Sequence, residues 1–391
     1  VRRGGVMLMA SFAVGRAQQL IYLLQVLKRN TQKFDTGVSL RDSLIDYVQT
    51  LPKCQAFIDK TMIDRALKTF LGLRFNHPWA DLAYIAPPGG DFPARRTIRT
   101  HLDALSAMGA VAVDGPGHRL EAPDGLRATS IYLDEASVTG TETALLAAAA
   151  APGVSEIRHA ACEPHVVEVC EFLAAMGAGI TGAGSHTIRV EGVPRLGGAT
   201  RTLWGDYIEA GSWAVVGAIT GGEVEVRGAR AVDMEVLTAV LRKLGVQCTQ
   251  RDDVLTVVPS ALVGAGRITT GLWPSFPSDL ISLVTVLATQ ADGATLVHDW
   301  LYELRLFALE QMSGMGADLF RCDPHRIIVT GPAKLRGKTL DSRDIRSGMA
   351  LIAAALAAKG QSRVEPLETV ERGYSRLVER LQSLGAHVAK V

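Results

Sequence analysis

One short phrase recurs along this chain, and it limits the possible folds more than any other feature. It reads LSAMGA at 105–110, LAAMGA at 173–178, LRKLGV at 241–246, MSGMGA at 312–317 and LQSLGA at 381–386. Its glycines, Gly109, Gly177, Gly245, Gly316 and Gly385, are separated by 68, 68, 71 and 69 residues. Apolar residues three apart followed by glycine predict a helix whose last turn closes on a left-handed glycine. After each copy comes a short apolar or alternating run, such as GITGAGSHTIRVEG or LFRCDPHRIIVTG, which predicts paired strands around a tight turn. A period of about 70 residues is too long for a solenoid unit and predicts a whole α+β subdomain copied several times.

A second kind of helix recurs between these phrases. SVTGTETALLAAAAAPG, DYIEAGSWAVVGAITGG, FPSDLISLVTVLATQADG and SRDIRSGMALIAAALAAKG are rich in small apolar residues, open on polar ones and end in glycine. Such helices are expected to be buried among other elements. Ser137 and Thr139, Asp206 and Glu209, Ser278 and Asp279, and Asp344 stand at their starts, where N-capping is the ordinary explanation. Arg346 does not fit that explanation, because a cation at a helix N-terminus opposes the macrodipole. An anion between the helix start and the guanidinium would resolve the conflict.

Composition bounds the rest. With 391 residues, 48% apolar and only 6% aromatic, the chain predicts two or three domains with cores of Ala, Val and Leu. A net charge of +1 gives no argument for a nucleic-acid or membrane-surface partner. The cysteines at 54, 162, 170, 248 and 322 form no CxxC pair, which suits a reducing compartment and argues against a zinc site. No apolar run reaches the roughly eighteen residues of a membrane span. The opening VRRGGVMLMASFAVGRAQQL is interrupted by Gly15 and Arg16 and reads as mature chain rather than a signal peptide. A cytoplasmic monomer is the expectation.

Residues 84–101, YIAPPGGDFPARRTIRTH, raise a separate question. Proline and glycine predict an irregular, movable loop, and it carries Asp91 with Arg95 and Arg96. It is either a charged surface turn or a loop that closes over an anionic substrate.

PPGGDFPARR, SVTGTE, AACEPHVVEVCEFLAAMGAGITGAG, DYIEAG, FPSDL, LYELR, RDIRSGMALIAAALAAKG and ERGYSRLVERLQSLGA occur in that order. Together they resemble the UDP-N-acetylglucosamine 1-carboxyvinyltransferase family, enolpyruvyl transferases that open peptidoglycan synthesis and so serve cell-wall growth and division. The resemblance covers about residue 84 to the C-terminus. It implies an α/β fold of the two-domain inverted α/β barrel type, built from about six α+β repeats. Residues 1–83 would hold the degenerate first copy, 84–204 the rest of the first domain with a mobile loop at 86–96, and 205–391 the second. The substrates implied are phosphoenolpyruvate (PEP) and UDP-N-acetylglucosamine, with no cofactor or metal. Arg96, Arg305, Arg346 and Arg372, with Asp344 beside Arg346, match the PEP side. Arginine suits that task through its permanent charge and planar fork. Arg96, Ser137, Val138, Thr139, Asp279 and Leu301 match the nucleotide-sugar side. Asp279 matches the base that accepts the sugar hydroxyl proton, and Asp344 is expected to hold Arg346 in place. Arg65 is a further candidate for the PEP side.

Asp91 stands where the family loop usually carries a cysteine. As proton donor to C3 of PEP it would need a raised pKa, which a nearby substrate anion supplies. Other departures lie elsewhere. No Gly-Ala-Lys-Asn phrase occurs in residues 1–83, where LLQVLKRNTQ has Lys28 in place of the repeat glycine. Glu135 stands where a lysine is usual, Cys162 where an arginine is, and His165 where a glutamate is. Two alternatives therefore stay open: an enolpyruvyl transferase with another nucleotide or phosphorylated acceptor, and a catalytically silent ligand-binding paralogue.

Overall fold

A computed structural model describes residues 83–85, 98–113, 118–302, 305–342 and 344–390. Asp91, Arg96, Arg65 and the whole loop at 86–96 lie outside the described residues. The chain divides into two compact units, the first ending at Leu203 and the second beginning at Trp204.

In the first unit a small antiparallel sheet joins β1 (Ala83–Ile85), β2 (Val111–Val113) and β3 (His118–Glu121), with α1 (Arg99–Ala107) between β1 and β2. It is followed by β4 (Ser130–Tyr132), α2 (Val138–Ala150), β5 (Gly153–Arg158), α3 (Pro164–Ala175), β6 (Gly179–Thr181) and β7 (Thr187–Gly192). These strands form a sheet of order β4-β5-β7-β6, parallel across β4 and β5 and antiparallel elsewhere. Helix α2 carries ten buried residues, among them Leu145 and a run of alanines, and is the centre of this unit's core.

The second unit opens with α4 (Tyr207–Thr220), β8 (Val224–Arg227), α5 (Ala231–Lys243), β9 (Gln247–Arg251) and β10 (Val254–Val258), its first sheet running β8-β10-β9. Next come β11 (Gly266–Thr269), a 3-10 turn at Ser278–Leu280 running into α6 (Ile281–Ala288), β12 (Gly293–His298), a 3-10 segment at Arg305–Met315, β13 (Asp318–Arg321) and β14 (Arg326–Gly331). Their sheet, β11-β12-β14-β13, repeats the parallel-then-antiparallel pattern of β4–β7. That match in topology is the structural form of the sequence repeat. Last come β15 (Thr339–Asp341), α7 (Ile345–Ala357), β16 (Arg363–Glu365), α8 (Leu367–Glu371) and α9 (Leu377–Ser383), with β15 parallel to β16. The small-residue helices α4, α6 and α7 are buried together in one core, as their composition predicts.

All five repeat glycines have positive φ, from +81° to +110°. At each, the glycine amide donates to the carbonyl three residues back and the next amide donates five back, as in Gly109 to Ser106 and Ala110 to Leu105. That pair of bonds satisfies the orphan carbonyls of a helix end. One expectation needs correction: the fourth phrase, MSGMGA, ends a 3-10 segment and not an α-helix. The fifth phrase also lacks the expected hairpin among the described residues, because no strand follows Gly385.

Candidate active site

The second unit brings three of the singled-out residues together around one carboxylate. Arg305 Nη1 donates to Asp279 Oδ1 at 2.6 Å, and Arg346 Nε donates to Asp279 Oδ2 at 3.3 Å. Both arginines are 6% exposed, whereas the Asp279 side chain is 38% exposed. Two buried guanidiniums therefore converge on a carboxylate that reaches solvent. Burial by itself would lower the pKa of Arg305, but Asp279, Tyr302 and Asp299 outweigh it and raise it. Arg346 behaves alike: burial opposes its charge, and Tyr374, Asp279 and Asp206 outweigh that. Both remain cations at any working pH.

Each group is placed by a different element. Asp279 sits in the 3-10 turn leading into α6, and Arg346 in the first turn of α7. Arg305 opens the segment before β13 and lies over the Tyr302 ring, 4.5 Å from its centroid. The conflict between Arg346 and the helix dipole is settled within the protein. The guanidinium turns to Asp279 and to the Tyr374 hydroxyl, which accepts from Nη1 at 3.1 Å.

Asp344 acts through the main chain. Its Oδ1 accepts the backbone amides of Arg346 and Ser347, at 3.0 and 2.7 Å, so it caps α7 and holds Arg346 by its main chain. Its other oxygen is buried without a hydrogen-bond partner among the described residues. Arg346 itself is buried. Arg372 ends α8 and is half-buried, and its side chain has no hydrogen bond or ion pair to a described residue. Gly373 follows so closely over α7 that a Cβ there would collide with the Ile345 side chain.

Sequence reasoning missed Asp299. This fully buried carboxylate accepts from Ser278 Oγ at 2.6 Å, from Thr270 Oγ1 at 2.8 Å and from the Leu301 amide at 3.3 Å. It ties the residue before Asp279 to the segment that leads to Arg305. An Asp directly after an apolar strand was the available signal. Tyr374 and Ser212, in the segment before α9 and in α4, were missed as well.

In the first unit Ser137 caps α2, its Oγ accepting from the Gly140 amide at 3.1 Å. Thr139 Oγ1 is 2.9 Å from His101 Nε2. Val138 is half-buried beside them. Thr100 Oγ1 donates to Asp134 at 2.7 Å and to Glu135 at 3.3 Å, so Glu135 has a polar partner. Burial lowers the pKa of His101 and keeps it neutral. Cys162 is buried, with Sγ 3.4 Å from His186 Nδ1, and burial, aided by Glu163, raises its pKa. It is an inert thiol. Glu142 in α2 is raised to about 8, first by burial and then by Glu163. Among the described residues no group of three or more His, Cys, Asp or Glu is placed to hold a metal, and no helix is long and apolar enough to cross a membrane.

Residues 69–381 match the family described as EPSP synthase (3-phosphoshikimate 1-carboxyvinyltransferase). The chain belongs to this family. Relatives of this EPSP synthase-family chain include the UDP-N-acetylglucosamine 1-carboxyvinyltransferase of Treponema pallidum (strain Nichols), 41% identical over 317 residues, which cover 79% of this chain and 74% of that protein. The protein of the same name from Porphyromonas gingivalis is 36% identical over 383 residues, covering 93% and 86%. Among solved structures, the enolpyruvyl transferase NikO from Streptomyces tendae superposes with a TM-score of 0.69 at 23% identity, over 83% of this chain and 76% of that one. An EPSP synthase from Acinetobacter baumannii gives 0.60 at 21% identity, over 76% and 72%. These likenesses assign the fold: the EPSP synthase-family chain has the inverted α/β architecture of the enolpyruvyl transferases, built from repeated α/β units.

Proposed function

We propose that this protein transfers the enolpyruvyl group of PEP to the 3-hydroxyl of UDP-N-acetylglucosamine and releases phosphate. The observation that carries the reading is the Asp279–Arg305–Arg346 cluster, found in a chain whose relatives are named for that transfer. The acceptor oxygen adds to C2 of PEP while C3 takes a proton. The tetrahedral adduct then loses a C3 proton, and the bond from C2 to the phosphate oxygen breaks. PEP carries a carboxylate and a phosphate close together, which paired guanidinium forks suit. In the absence of substrate, Asp279 serves as the arginines' counter-ion. A carboxylate with both oxygens so engaged is a poor proton acceptor. PEP, drawing on Arg305 and Arg346, would release Asp279 to take the acceptor's proton. Arg372, half-buried and without a side-chain partner among the described residues, is the further cation we assign to the donor. Ser137, Val138, Thr139 and Leu301, with Arg96, are assigned to the nucleotide sugar, and Asp91 to protonation of C3.

A second reading, with another nucleotide or phosphorylated hydroxyl as acceptor, draws on Glu135 and Cys162 at the nucleotide-sugar positions. Phosphate release from PEP, measured with UDP-N-acetylglucosamine and with 3-phosphoshikimate as acceptors, tests both. Release with the first alone supports the main reading, and release with the second alone replaces it. No release with either favours a ligand-binding paralogue. On the main reading the protein supplies peptidoglycan precursors, and so cell growth and division, as a cytoplasmic monomer without a cofactor.

A further inference from the structure

Tyr374 is fully buried, yet its hydroxyl is fully engaged. It lies 3.1 Å from Arg346 Nη1 and 2.8 Å from Ser212 Oγ, and Ser212 Oγ lies 2.7 Å from the Ile208 carbonyl oxygen. The direction of this chain follows from donor inventory. A carbonyl only accepts, so the single Ser212 proton goes to Ile208; a guanidinium only donates, so Arg346 gives to the Tyr374 oxygen. The Tyr374 proton is then left for Ser212. Every hydroxyl uses its one proton and nothing is orphaned, an arrangement that is stiff in a buried setting.

The consequence falls on Arg346. Before the donor arrives Asp279 holds its Nε edge and Tyr374 holds Nη1, and once Asp279 is released the Tyr374 contact is the one that keeps the plane of the guanidinium. Its Nη2 makes no hydrogen bond among the described residues and remains to meet an anion. A bidentate grip on a carboxylate or phosphate requires such a fixed plane, since a freely rotating fork loses the gain from its second bond. We propose that Tyr374, seated on Ser212, is a positioning residue that orients the Arg346 guanidinium for the anionic donor. The relay joins three segments: α4 through Ser212, α7 through Arg346, and the stretch between α8 and α9 through Tyr374. Burial raises the Tyr374 pKa, with Arg346 and Ser212 opposing, so the phenol keeps its proton throughout the neutral range.

The inference rests on placing Arg346 on the PEP side, and its test separates the two. Steady-state phosphate release is measured for the full chain, Tyr374→Phe and Ser212→Ala, varying PEP and UDP-N-acetylglucosamine in turn, with thermal midpoints alongside. Tyr374→Phe keeps the ring and removes the acceptor. It should raise KM for PEP about tenfold, leave KM for the nucleotide sugar within about twofold, and leave the midpoint within a few degrees. Ser212→Ala should act in the same direction more weakly. An unchanged KM for PEP, or an equal rise in both KM values, overturns the proposal; if Tyr374→Phe does not fold, Ser212→Ala decides by the same criteria. If the native chain releases no phosphate, the functional reading fails on its own. The positioning role is then judged from the Arg346 Nε–H signal in 15N spectra. Slow exchange in the native chain that quickens in Tyr374→Phe (Ser212→Ala if that does not fold) supports it, and an unchanged signal overturns it.

Discussion

Arg346 and Arg372 look equivalent as residue types, and the structure separates them. Removing Arg346 strands the Tyr374 hydroxyl and opens space in the core, so Arg346→Ala should abolish turnover and also cost about 2–4 kcal/mol of stability, read by denaturant unfolding. Arg372 has no side-chain partner among the described residues to strand, so Arg372→Ala should weaken PEP binding with stability within about 0.5 kcal/mol. Equal stability losses would contradict the burial difference. Glu142 supplies a pH signature. Its folded pKa is raised from 4.5 to about 8, so the folded state holds a proton that the unfolded state gives up. Its contribution therefore turns against folding as pH rises from about 4.5 to about 8 and is constant above that. Glu142→Gln cannot ionise, and its stability relative to the native chain should grow by on the order of 2–4 kcal/mol across that window. A flat difference between pH 5 and 8 would show that Glu142 is not held protonated. Asp91, argued from the sequence and its family resemblance, leads to a chemical prediction. The native chain should resist covalent inactivation by fosfomycin, which alkylates the loop cysteine of typical relatives, and Asp91→Cys should gain sensitivity while staying active. Asp91→Asn, with no acidic proton, should lose turnover; a fully active Asp91→Asn enzyme would return the loop to an ordinary charged turn.

At the scale of elements, the same helix-ending motif is used five times in different surroundings. Gly177 has φ +110° and nothing within 4 Å of where a Cβ would sit, whereas at Gly245, φ +81°, a Cβ would meet the Ala261 carbonyl oxygen at 2.5 Å. Gly177→Ala should therefore cost only the left-handed strain, about 1–2 kcal/mol, and Gly245→Ala at least about 1 kcal/mol more, because backbone must move. Chemical denaturation of the two variants measures the difference, and equal costs would mean that the Ala261 segment yields freely. The helix starts follow similar logic. Asp206 and Asp344 cap α4 and α7 through their Oδ1 atoms, and those caps bring Ser212 and Arg346 to the relay with Tyr374. Desolvation raises the Asp206 pKa and Arg346 opposes it, so this cap is electrically tied to the cluster.

Over the whole molecule, no sheet among the described residues is shared between the two units, and each has its own apolar core. A fragment of residues 204–391 is accordingly expected to fold by itself with a cooperative thermal transition; a fragment without one would show that its core needs the rest of the chain. How much of this was legible beforehand depends on the range of the interaction. The Leu-x-x-Leu/Met-Gly phrases, the capping residues and the small-residue helices were all readable, because each is decided within a turn or a hairpin of chain. Even there the fourth copy became a 3-10 segment, since tertiary packing overrides a weak local preference. Arg305, Arg346 and Asp279 were identified as candidates by type and by family motif. That both guanidiniums share one carboxylate, across 26 and 67 residues of sequence, was not readable. Nor was the meeting of Ser212 with Tyr374 across 162 residues, or the burial of Asp299 among three donors. The sequence by itself determined which groups carry charge and where helices begin and end, because those depend on side-chain chemistry and neighbours along the chain. Only the tertiary structure decided which charges meet and which hydroxyl holds them, because pairing in a buried site is set by how distant elements pack.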